Sequence, residues 1–121
     1  MRFVAWMLLS CALNAVAQTY PSRPVRMLVG FPPGGGTDIA ARLLAPKLSE
    51  YLGQQFVVEN RPGATTNIAS DLVAKAAPDG HTLLFTTSAL AINMSLYRNL
   101  TFDALRDFAP ISARFRFRLC R

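Results

Sequence analysis

The chain has 121 residues, 51% of them hydrophobic, and a formal net charge of +6. That length holds one modest domain or a piece of a larger one, and the apolar share excludes a disordered chain. The charge excludes a nucleic-acid surface: Arg2 and the cluster Arg114, Arg116, Arg118 and Arg121 lie at the ends, while residues 18–112 carry eight Lys and Arg against seven acids and offer no basic face to follow a phosphate backbone.

Residues 1–17 read as a secretory signal peptide. Arg2 gives a positive start, residues 3–13 are apolar, and Ala15-Val16-Ala17 supplies the small side chains a signal peptidase accepts, with cleavage expected before Gln18. The apolar run is too short for a bilayer, which takes about 20 residues. A lipoprotein site at Leu8-Leu9-Ser10-Cys11 is the competing reading, and bulky Leu9 fits it poorly. The two cysteines are Cys11 and Cys120, so residues 18–112 offer no disulfide, thiolate metal site or cysteine nucleophile. Export to a bacterial periplasm suits such a body.

After the prolines at 21 and 24, residues 25–31 (VRMLVGF) form a mostly apolar run, as in a strand buried on both faces of a parallel sheet. Pro32-Pro33-Gly34-Gly35-Gly36 must be a loop. Thr37 is then expected to cap a helix through its hydroxyl, and Asp38 to favour the positive end of its dipole. Ile39, Leu43, Leu44, Leu48, Tyr51 and Leu52 recur at helical spacing up to Gly53. Pro46 predicts a kink or a shortened helix, because it has no N–H for the carbonyl of Arg42. Residues 55–59 read as a second strand and residues 60–64 as a loop. Residues 67–77 read as a helix with Ile68, Leu72 and Ala76 on one face. Pro78-Asp79-Gly80 stops it before a third strand over residues 82–87. A short helix over residues 89–96 and the start of another strand at residues 108–112 follow. The fold class is therefore α/β: a parallel sheet with flanking helices and right-handed crossovers.

In such sheets ligands sit beyond the carboxyl ends of the strands, where helix N-termini present free N–H groups. Three anions compete for the glycine loop. A nucleotide triphosphate would need lysine where Gly36 stands in GFPPGGGT. A dinucleotide would need a third glycine where Ile39 stands, although Glu59 is placed for a ribose. A small carboxylate needs only backbone amides and a few hydroxyls, which the glycines and Thr86-Thr87-Ser88 supply. Each residue also has a purely structural use. Triple glycine without context more often marks a tight turn, Asn67 serves equally as a helix cap, and Thr86 and Thr87 are ordinary strand residues. His81 follows a turn with no evident acid or nucleophile partner and is expected to be exposed. There is no Gly-x-Ser-x-Gly elbow and no metal-spaced cluster.

Three ordered stretches carry a family resemblance: FPPGGGTDIAARLLAPKLSEYLGQQFVVENRPGA, PDGHTLLFTTSALAIN and LYRNLTFDALRDFAPIS. Together they resemble the substrate-binding proteins of tripartite tricarboxylate transporters, the Bug-type receptors, over residues 20–112. The resemblance implies a periplasmic receptor and not an enzyme, built as two α/β domains around a cleft. It implies a small carboxylate ligand, an organic acid or related amide, handed to membrane transporter subunits, with no cofactor, metal or nucleic acid. Its implied contacts are Gly35, Gly36, Thr37 and Asp38 after the first strand, then Thr87, Ser88, Ala89 and Asn93 after the third. Asp38 would position loop amides and water, since a free carboxylate would repel an anion.

Two departures stand out. Thr65-Thr66 occupies positions where the family pattern usually has Gly-Gly, and β-branched residues resist positive φ. Residues 113–121 (ARFRFRLCR) alternate arginine with apolar residues and resemble no family segment, as a truncated gene or shifted frame would produce. On that reading residues 18–112 are an incomplete first domain of a two-domain periplasmic binding protein, with an exposed strand edge and impaired binding. An inert pseudogene-like fragment, a Rossmann-type enzyme fragment and an interaction protein with a basic tail are the alternative expectations.

Overall fold

The computed structural model describes residues 19–112; the expected signal peptide and basic tail lie outside them. The elements follow in the order β1 (Val25–Val29), α1 (Gly36–Leu52), β2 (Phe56–Asn60), a 3-10 turn (Ala64–Thr66), α2 (Asn67–Ala74), β3 (Thr82–Phe85) and α3 (Ala89–Leu96). The strands form one parallel sheet in the order β2-β1-β3, with Val29 opposite Asn60 on one side and Phe85 on the other. Each outer strand has one side unpaired among the described residues. The α/β class, parallel pairing and flanking helices agree with the sequence-based expectation.

Alternation along β1 assigns the two faces. Val25, Met27 and Val29 pack with Ala41 and Ala45 of α1 and with Phe56, flanked by Leu48, Val58, Leu83 and Phe85. Leu28, almost fully buried, points to the opposite face, where α2 contributes Ala69 and Ser70. Burying a side chain the size of Leu28 or Val29 stabilises the fold by about 1.5–3 kcal/mol.

Several local expectations need correction. The apolar residues that recur at helical spacing along α1 are split: Leu48 packs against the core, but Leu43 is 71% and Tyr51 83% exposed, and Ile39 and Leu52 are exposed too. Ala41 and Ala45 face inward instead, because small side chains let the helix lie close against the sheet. In α2 the same phase error leaves Ile68 and Leu72 exposed and buries Ala69 and Ser70.

Pro46 does not shorten α1, which continues to Leu52. Pro46 is exposed, so the carbonyl it leaves without a donor can turn to water. The helix stops as expected at Gly53, whose φ of 71° and N–H bond to the Ser49 carbonyl form a left-handed cap. Ser49 also ties this end to β2, donating to the Ala45 carbonyl and accepting the Phe56 N–H at 2.9 Å.

Residues 108–112 do not form a strand. Phe108 instead packs edge-on against the buried Phe102, with centroids 5.9 Å apart. His81 is not exposed: its side chain is 11% accessible, edge-on to Tyr20 at 5.3 Å and 3.5 Å from the Asp79 carboxylate. The N-terminal segment covers it, anchored by Tyr20 Oη donating to the Gly80 carbonyl and by the Arg23–Asp79 ion pair.

Candidate functional site

Because β1, β2 and β3 are parallel, the connections to α1, α2 and α3 leave the same edge of the sheet. The β1–α1 loop is shaped by one carboxylate. Asp38, 2% exposed, accepts the Gly34 N–H at 2.9 Å and the Arg42 Nε–H at 3.0 Å to each oxygen. It also accepts from Asn60 Nδ2 at 2.8 Å. Asn60 reaches from the end of β2, donates also to the Phe31 carbonyl at 3.1 Å, and accepts from Arg42 Nη2 at 2.9 Å. The Gly34 amide, then Arg42 and Asn60, hold the Asp38 carboxyl down to about 2 from its ordinary 3.8. It is ionised at neutral pH and its oxygens are engaged within the protein.

That bracing leaves the start of α1 bare. Thr37 does not cap the helix, because α1 begins two residues earlier than such a cap requires and Gly35, which has no side chain to offer, is the N-cap. The first intrahelical bond is from Ile39 N–H to the Gly35 carbonyl at 2.9 Å. The amides of Gly36, Thr37 and Asp38 therefore have no helical acceptor. Gly34 needs glycine for its φ of +86°. Gly36 does not: its φ lies outside the left-handed region, and a Cβ there would meet nothing within 4 Å. The space in front of it is open to whatever approaches the helix.

The β3–α3 loop lies beside it in the sheet. Thr87 Oγ1 accepts the Ala89 N–H at 3.3 Å, and the Ser88 carbonyl accepts from Ala91 and Ile92 at 3.1 Å. Ser88 is the N-cap of α3 and makes no side-chain cap bond, so its hydroxyl is free to face outward. Of the expected contacts, Gly35, Gly36, Thr87 and Ser88 are exposed and Thr37 and Ala89 half-buried, all at this edge. Asp38 and Asn93 are buried. Asn93 holds the second loop, the β2–α2 connection over residues 61–66, its Nδ2 donating to the Thr65 carbonyl at 2.6 Å and to Asn67 Oδ1 at 2.7 Å.

The second loop adopts positive φ despite its β-branched threonines. Ala64, Thr65 and Thr66 have φ of 44°, 53° and 74°, three left-handed non-glycine residues in a row. Each costs roughly 1–2 kcal/mol relative to a right-handed residue. Replacing the exposed Thr65 with glycine is expected to raise stability by about 1 kcal/mol, read as a higher urea midpoint; an unchanged or lower midpoint would show that the Thr65–Tyr97 hydroxyl contact of 3.2 Å outweighs the strain. Asn67 is the first residue of α2 and does not cap it.

Sequence reasoning missed Arg42 and Asn60, which carry most of the bracing. Glu59, considered for a ribose, accepts from Arg26 at 2.7 and 2.8 Å and lies 3.4 Å from Arg61. The Arg26 hydrogen bond holds its carboxyl below the ordinary range. Among the described residues no group of three or more His, Cys, Asp or Glu could hold a metal ion, and no helix is long and apolar enough to cross a membrane.

The family model described as the tripartite tricarboxylate transporter family receptor matches residues 40–119. Protein BugT of Bordetella pertussis is 49% identical over 98 residues, covering 79% of this chain and 30% of BugT. The structure of the periplasmic binding protein BugD aligns with a TM-score of 0.73 at 42% identity, over 76% of this chain and 31% of that one. An R. palustris protein solved with adipate aligns with a TM-score of 0.67 at 42% identity, over 71% of this chain and 29% of its own. The chain spans about 30% of the length of the curated relatives it matches.

Proposed function

The chain belongs to the tripartite tricarboxylate transporter receptor family, and from that premise we propose that its sheet edge seats one carboxylate of a small organic acid. The family consists of receptors and not enzymes. The observation that carries the reading is the uncapped start of α1, where Gly36 has neither a conformational nor a packing reason to be glycine. Amides at a helix N-terminus point at the anion and the helix dipole favours its charge. Gly36 and Thr37 would supply N–H groups, Gly35 the close approach, and Ser88 a hydroxyl from the neighbouring loop. Asp38 would act from behind, fixing the loop through Gly34, and Asn93 would act by holding the second loop.

Adipate is the natural probe, since a solved relative holds it. A single carboxylate has three heavy atoms, and at about 1.5 kcal/mol per atom its grip alone reaches roughly millimolar affinity. Titrating the isotopically labelled chain with adipate should shift the amide signals of Gly36, Thr37, Ser88 and Ala89 together. No movement of those four signals up to about 50 mM, far above that range, would sink the reading. In the cell we place this capture in the periplasm, with the acid passed to the membrane subunits of a tripartite transporter. A nucleotide role has little to support it, because Glu59 is taken by Arg26 and Ile39 stands at the third glycine position.

A further inference from the structure

Three buried polar atoms lack a protein partner at one end of the sheet: Thr66 Oγ1, Thr86 Oγ1 and Asn93 Oδ1. Thr66 and Asn93 are each only 1% exposed. They come from the turn before α2, the residue after β3 and α3, and the strand register and the Asn93–Thr65 bond direct them to the same end of the sheet. The parallel ladder ends with Val29 opposite Phe85; continuing that register by one residue sets Gly30 against Thr86. Registered neighbours in a sheet point to the same face, with strands about 4.8 Å apart. A Cβ on Gly30 would fall 2.5 Å from Thr66 Cβ, so Thr66 occupies the place of the missing Gly30 side chain. On the continued register, Thr66 and Thr86 share the α2 face. Asn93 reaches the same turn, bonded through Nδ2 to the carbonyl of Thr65, the residue before Thr66.

We propose that these three atoms bind one internal water molecule, which joins the strained second loop to β3 and α3. Leaving two hydroxyls and an amide oxygen unpaired in a buried wedge would be costly, while a water offers two donors and two acceptors and takes about three partners in such sites. Asn93 Oδ1 can only accept, so the guest must donate; the hydroxyls can donate to it or accept from it. The Asn93 orientation is fixed independently, because its amide group already serves the Thr65 carbonyl and Asn67 Oδ1. The inference does not rest on the carboxylate reading.

Isosteric changes test it. Thr66→Val and Thr86→Val keep shape and branching, so backbone strain at position 66 is unchanged. With a shared water, each change should lower the melting temperature by about 4–8 °C, the loss of roughly one hydrogen bond. The double variant should then fall by clearly less than the sum, because the guest is lost once. Bare hydroxyls predict the opposite, a rise for each variant, and two separate waters predict additive losses; either result overturns the proposal. A second measurement needs no variant: water-selected nuclear Overhauser spectra of the full chain should show a long-lived cross-peak at the Thr66 amide. Its absence overturns the proposal even if the variants fail to fold.

Discussion

Gly30→Val is expected to cost about 3 kcal/mol or more, a large share of the 5–15 kcal/mol typical of a domain. The glycine is demanded by space and not by backbone angle, since its φ lies outside the left-handed region. A Cβ there would stand 2.5 Å from Thr66 Cβ and 2.8 Å from Thr66 Cα. Side-chain rotation relieves neither contact, because the Cα belongs to a turn already pinned by Asn93 and by the Ser70 hydroxyl on the Thr66 carbonyl. The second loop would have to lift off the end of β1. Urea denaturation should show the midpoint falling by about 1–3 M. Adding Thr66→Gly should restore part of the loss by removing the facing side chain and one left-handed strain. A Gly30→Val protein that melts like the parent would mean the turn does not sit over β1.

Asp38→Asn is expected to weaken adipate binding by about tenfold or more, the scale of one lost charge-assisted contact. The variant keeps the size of the side chain and removes the charge that gathers Gly34, Arg42 and Asn60, and its NH2 would face donors already pointing inward. The loop amides should then lose their fixed direction although none of them is altered. The acid limb gives an independent readout. The folded-state pKa is lowered to about 2 from 3.8, so ionised Asp38 contributes stability that is complete above the unfolded value and is lost as pH falls towards 2. The gap in melting temperature between parent and variant should be constant at neutral pH and close as the solution is acidified below about pH 4. Glu59, Asp71 and Asp79 are also held below their ordinary values. They remain in both proteins, so the difference isolates Asp38. A gap that stays fixed down to pH 2 would contradict the buried-carboxylate geometry.

Punctuation made the fold legible. Glycine at position 53 ends α1 by going left-handed, and Pro78-Asp79-Gly80 separates α2 from β3. Periodicity was a poorer guide, because Ile39, Leu43, Tyr51 and Leu52 of α1 and Ile68 and Leu72 of α2 are exposed while Ala41, Ala45, Ala69 and Ser70 are buried. A scale that weighs hydrophobic bulk cannot see that close approach favours small residues. For the candidate site, the glycines and hydroxyls announced themselves by type, and the two threonines of the second loop by being β-branched in a turn. Asn60 and Arg42 carried no such mark. Their roles exist only once β2 lies beside β1 and one turn of α1 stacks above Asp38. Gly30 was read as part of a strand for the same reason, since its neighbour Thr66 is distant in sequence.

The distances along the chain between the braces have a further consequence. Asn60 is 22 positions from Asp38 and 29 from Phe31, and it is the residue that fastens both. A nascent polypeptide carrying only the triple glycine and its helix has the Gly36 and Thr37 amides and the local Asp38 contacts with Gly34 and Arg42, but lacks the Asn60 bonds that tie the loop to the sheet. The seat matures in the same step that zips the second strand onto the first, so affinity for an acid doubles as a reporter of strand docking.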